Sequence, residues 1–179
     1  MAQVAKWQIA NWYERKFEFS FPVELYPDLC VRLRGTPARL EELVGGCAGE
    51  RMIGATPRAA EGKWSAQEHV GHLLDLEPLW LARVEDYVGG RDELSVADLS
   101  NRGTFEARYN ERALSEILAA FGRARLAMVD RLDRVDAEFF GRSLLHPRLK
   151  VPMRLVDHLF FVAEHDDHHL AIIWGMIRE

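Results

Sequence analysis

The chain has 179 residues, 48% of them hydrophobic and 28% charged, a balance that suits one compact domain with a core large enough to fold unaided. A net charge of −5 and a pI near 5.8, with arginines scattered among acids, argue against a dedicated nucleic-acid binder. Two cysteines, Cys30 and Cys47, are too few and too far apart for a CxxC motif and are expected reduced and buried, and no apolar run or signal pattern points to a membrane or to export, so a cytoplasmic protein is expected.

The N-terminal stretch, with Trp7, Trp12, Tyr13, Phe17, Phe19 and Phe21 before Pro22, is aromatic without a clean period and predicts a short helix followed by an extended arm. A helix is predicted over 36–44, with Thr36 as N-cap, Pro37 at the first helical position, Leu40, Leu43 and Val44 on one face, and Gly45-Gly46 as a stop. A second runs over about 65–88. It starts at a capping box, Ser65-Ala66-Gln67-Glu68, in which serine and glutamate each satisfy an orphaned backbone donor, and Pro78 is expected to bend it. The segment from Gly89 to Arg112 reads as a crossover with some local structure.

A third helix is predicted over about 113–135, with Leu114, Ile117, Leu118, Phe121, Leu126, Val129 and Leu132 at helical spacing. A fourth, over about 153–177, puts His158, Val162, His165, His169, Ile172 and Met176 on an inward stripe. Four long helices with no convincing strand pattern predict an all-α fold, a four-helix bundle with a long crossover and an aromatic N-terminal arm.

The chemistry-bearing feature is the run Glu164-His165-Asp166-Asp167-His168-His169 set against His69 and His72. Histidines four apart lie on one helix face about 6 Å apart, so their imidazoles can grip one metal ion, and a third from a distant helix completes a set that leaves coordination positions open. His165 with His169 is preferred, His168 being a poorer alternative partner that falls at the rim. His72 is the third ligand, with His69 one turn earlier as fallback. His158, seven residues before His165, lies about 10 Å along the axis and is read as a structural imidazole at the edge of the core. Glu164 and Asp166, with Asp167, either fix imidazole tautomers, act as bases, or are solvated helix charges. Glu164, Asp166 and His168 are the candidates for proton handling, and Asp75 or Glu77 could orient His72 or meet substrate. His165-Asp166 only partly mimics the H-E-x-x-H of metalloproteases, and no nucleotide-binding glycine loop or G-x-S-x-G is present.

Trp64-Ser65-x-x-Glu68-x-x-x-His72-Leu73 with the later His165-x-x-His168-His169-Leu170 resembles the DinB-like superfamily over most of the chain, as do Arg34 to Arg39, His146 to Leu149 and Pro152 to Asp157. The chain departs from the pattern at Ala171-Ile172-Ile173, where many relatives carry a glutamine. The resemblance implies a four-helix bundle with a divalent metal, zinc or nickel, held by His72, His165 and His169, and a homodimer. It implies a small-molecule substrate and the activity of a metal-dependent hydrolase or of a transferase using a low-molecular-weight thiol. No nucleic acid and no membrane are expected as partners. The alternative is a non-catalytic metal-binding stress-response or interaction module that recruits a partner through the aromatic arm.

Overall fold

A computed structural model describes residues 8–46 and 63–178. Trp7 and Cys47 lie outside the described residues. The architecture is a four-helix bundle, formed by a first helix in two halves, α1 (Tyr26–Arg34) and α2 (Thr36–Val44), and by α3 (Ala66–Gly89), α5 (Leu114–Leu132) and α6 (Leu155–Ile177). The crossover after α3 carries the short α4 (Arg102–Glu106) and a 3-10 turn, Tyr109–Glu111.

The N-terminal arm has the predicted form, a 3-10 turn at Trp12–Glu14 followed by extended chain, but α1 goes beyond the sequence reading. Its break from α2 has a local cause. Pro37 has no N–H to offer the Leu33 carbonyl one turn earlier, and Arg125 Nη1 faces that oxygen at 3.4 Å instead. Thr36 does not cap α2. It is fully buried, and its hydroxyl donates to Asp166 at 2.9 Å.

The capping box that opens α3 is present in both directions, Glu68 N to Ser65 Oγ at 3.0 Å and Ser65 N to Glu68 Oε2 at 2.7 Å. The helix runs unbroken through Pro78, which is exposed, and ends where Gly90 takes the left-handed conformation. On α5, Ile117, Phe121, Val129 and Leu132 are buried as expected. Leu126 is exposed, and the guanidinium of Arg125 is buried in its place.

The structure adds a two-stranded antiparallel hairpin, β1 (Ser143–Leu145) and β2 (Pro152–Arg154), in the register Leu144↔Met153. Three residues per strand give too little alternation to be read from sequence. Leu144 and Met153 seal the bundle, and Leu145 also joins the chain leaving α3, through Leu94 N to Leu145 O at 3.0 Å. Apolar packing falls in two groups. One gathers Leu33, Val84, Tyr87, Met128 and Leu159, and the other gathers Leu40, Val70, Ile117, Phe121 and Ile173. Cys30 is half-buried rather than buried, and burial pushes its thiol up to about 11. Among the described residues no helix is long and apolar enough to cross a membrane.

Candidate metal centre

Helices α3 and α6 carry the histidines inward. The α6 stripe holds for His158, Val162, His165 and His169. One turn further on, Ile173 and Ile177 enter the core, while Ile172 and Met176 line a cavity. His72, His165 and His169 are all buried and each offers a ring nitrogen within 4.8 Å of the others. The Nε2 atoms of His165 and His169 are 3.2 Å apart. Two nitrogens that share a divalent ion at about 2.1 Å each are about 3.0–3.4 Å apart at octahedral to tetrahedral angles.

Hydrogen bonds on the far sides of the rings fix which nitrogens face inward. Thr104 Oγ1 lies 3.2 Å from His72 Nδ1 and donates its own proton to Asp75 Oδ2 at 2.8 Å. The hydroxyl therefore accepts from Nδ1–H, and His72 Nε2 is left with its lone pair. Asp75 is held in turn by the Tyr109 hydroxyl at 2.5 Å. His169 Nδ1 lies 2.8 Å from His69 Nδ1, and in the tautomer that turns a bare Nε2 inward the His169 Nδ1–H donates to His69. His69 thus stands behind His169. His165 Nδ1 has no hydrogen-bond partner, and the rings of Trp12 and Trp80, 5.0 and 5.8 Å away, hold that imidazole by packing.

Burial drives the His72 imidazole down to about 4, and drives His165 and His169 well below the ordinary histidine range, with neighbouring histidines adding to the effect. All three are therefore neutral near pH 7, the form in which imidazole ligates. His72 Nε2 brings a buried lone pair toward the Nε2 atoms of His165 and His169, and three neutral imidazoles converging in this way fit a divalent ion.

The carboxylates go elsewhere. Asp166 is fully buried, paired with Arg125 and bonded to Thr36. Glu77 takes the other side of the same guanidinium, at 2.6 Å, rather than orienting His72. Glu164 pairs with Arg15 and, at 2.7 Å, with Arg32. Asp167 pairs with Arg32 and, at 2.6 Å, with Arg39. None of Glu164, Asp166 and Glu77 lines the cavity beside the histidines; His168 does, half-buried and 5.5 Å from Trp12. His158 is buried in the core beside Trp80 and Tyr87, outside the cluster.

The cavity itself, about 1130 Å³, opens over His72, His165, His168 and His169 and is walled by Trp12, Trp64, Trp80, Phe105 and Phe161. The sequence reading did not identify Thr104 as the link to His72, nor Arg83, His146 and Arg148 on the cavity wall. His146 to Leu149 carried the only signal, as part of the family pattern.

No curated protein matches the chain in sequence. Among solved structures it is similar to YfiT from Bacillus subtilis, described as a probable metal-dependent hydrolase with an unusual four-helix bundle topology. The TM-score is 0.75 and the identity 23%, over 92% of this chain and 93% of that one. The model of the DinB superfamily matches residues 32–173, so the chain belongs to the DinB superfamily.

Proposed function

We propose that the chain is a metal-dependent enzyme acting on small molecules, a hydrolase or a low-molecular-weight-thiol S-transferase, with His72, His165 and His169 holding one divalent ion, zinc or nickel. The observation that carries this reading is a set of three neutral, buried imidazoles at one side of a large aromatic cavity. When bound, such an ion supplies Lewis acidity and lowers the pKa of the attacking nucleophile, water or thiol.

The chain's own residues then act around that position. Thr104 and Asp75 hold His72 in the tautomer that presents Nε2, and His69 does the same for His169. Trp12 and Trp80 exclude water from the outer face of His165. His168 lines the cavity at its rim. Burial and the charge of Arg15 lower its basicity, so it is neutral near pH 7 and able to take a proton from a nucleophile or pass one to a leaving group. Asp166 and Glu164 hold the fold together and take no part in the chemistry. Asp166 anchors α6 to α5, and Glu164 anchors the arm that carries Trp12.

The binding-module alternative calls for a closed site and an exposed aromatic arm. Trp12, Phe17, Phe19 and Phe21 instead pack on Phe160 and Phe161 of α6, and the histidines border an open cavity. The test is elemental analysis of protein purified without an affinity tag, followed by turnover of an electrophilic thiol acceptor and of a hydrolysable amide or ester. Metal-stripped protein should be inactive, reloading should restore turnover, and the His165→Ala protein at equal metal concentration should remain inactive. Equal rates for the His165→Ala and parent proteins would overturn the reading.

A further inference from the structure

The hairpin loop brings a second set of groups to the same cavity, all of them hydrogen-bond donors. Arg83, 2% exposed on α3, lies over the Trp80 ring at 5.4 Å and donates through Nε to Ser95 O at 2.9 Å. Arg148 lies over Tyr13 and Phe161 at 5.5 and 5.9 Å, and its Nη2 is buried with no partner. Among the described residues no carboxylate pairs with either guanidinium. The acid on the cavity wall, Asp98, is exposed and accepts from Ser100.

His146 sharpens the deficit. Its Nδ1 accepts from the backbone N–H groups of Arg148 and Leu149 at 3.2 and 3.1 Å, so that nitrogen carries no proton. Burial and the flanking cations lower its pKa to about 3, so the neutral ring must hold its proton on Nε2. That N–H faces Arg83 Nη1 at 3.4 Å, donor against donor. The buried indole N–H of Trp80 lacks an acceptor as well. A buried Arg83 with no carboxylate paired to it, the buried Nη2 of a half-buried Arg148, and two further N–H groups without an acceptor are costly unless an anion joins them.

We propose that Arg83, His146 and Arg148 form a subsite for the carboxylate of an organic acid, in the same cavity as the three histidines and against the Trp80 ring that also packs on His165. The guanidinium forks offer paired donors to a planar carboxylate, and the rings of Trp80, Phe161 and Tyr13 supply the apolar wall for its carbon skeleton. The identification of this acid as a substrate rests on the proposed enzyme function; its binding does not.

Tryptophan fluorescence titration of the parent protein with benzoate, benzamide and phenyl phosphate tests the subsite. Benzoate should bind at least about tenfold more tightly than benzamide, the difference expected for charge-assisted bonds. The preference should persist in His165→Ala and in metal-stripped protein. It should be lost in Arg148→Met with metal content unchanged, and be weakened in Arg83→Lys. Circular dichroism checks the fold of each variant, and the comparison of probes on the parent protein needs no variant at all. Equal binding of benzoate and benzamide overturns the proposal, as does an unchanged preference in folded Arg148→Met. A preference that vanishes with the metal places benzoate on the ion and overturns it too, and tighter binding of phenyl phosphate overturns the assignment to a carboxylate. Absence of metal with the preference intact would defeat the metal-centre reading alone.

Discussion

The Tyr109 ring lies against the backbone of Gly71, so close that a β-carbon there would sit 2.1 Å from Cδ2 of the ring. Tyr109 is 2% exposed and cannot swing away, and its hydroxyl holds Asp75, the last group in the chain of bonds behind His72. Gly71→Ala is therefore expected to displace the crossover from α3. The cost should be about 1–3 kcal/mol, as for other overpacked cores, with a loss of metal affinity. Urea denaturation and metal titration check this, and a variant as stable as the parent would contradict the close approach.

The bonds behind His72 carry their own prediction. Thr104→Val removes the acceptor for His72 Nδ1–H but keeps the side-chain volume. Metal affinity should fall by about tenfold, the lower end for loss of a group that orients a ligand. Competition with a chromogenic chelator reads it directly. His72→Ala, His165→Ala and His169→Ala should each abolish stoichiometric binding while leaving the helical circular dichroism intact, and undiminished stoichiometry in any of them would remove that residue from the ligand set.

Arg125 joins Glu77 and Asp166 with all three side chains 2% exposed or less. One guanidinium between two buried carboxylates leaves an excess of negative charge, and burial raises Glu77 to about 7 despite its ion pair. Arg125→Met strands both acids and should cost about 3–5 kcal/mol. Asp166→Asn should lower stability while the folded fraction keeps the parent's kcat/KM, because the carboxylate does not border the cavity. A large fall in kcat with stability unchanged would give Asp166 a part in the chemistry.

His158 is buried with both ring nitrogens unbonded, and burial lowers its pKa well below the ordinary value. Below about pH 6.5 the unfolded chain takes up a proton that the folded chain refuses, so stability falls as the pH drops, by about 1.4 kcal/mol per unit for each such histidine. His158→Leu removes one of these groups and the cost of its unbonded nitrogens. It should be more stable than the parent by about 1 kcal/mol at pH 7 and should lose about 2 kcal/mol less between pH 7 and pH 5. Thermal melts at the two values decide it, and parallel losses in the two proteins would refute the role given to His158.

Local periodicity sets the long helices and the face on which His165 and His169 stand. A 3.6-residue period, the Ser65-Glu68 box and the four-residue spacing of the histidines are local properties, fixed by backbone geometry whatever the rest of the chain does. Tertiary structure decided what lies across from them. His72 and His69 are one turn apart on the same helix, and their places depend on the height at which α3 packs on α6, which also sets Thr104 behind one and His169 beside the other. The fates of Glu164, Asp166 and Glu77 were equally hidden. A carboxylate next to a histidine in sequence points about 100° away from it on a helix, and whether it meets a metal or an arginine depends on the helix packed there. The same holds for Arg83, His146 and Arg148, which come together only because a hairpin too short to leave a periodic signal folds back over α3.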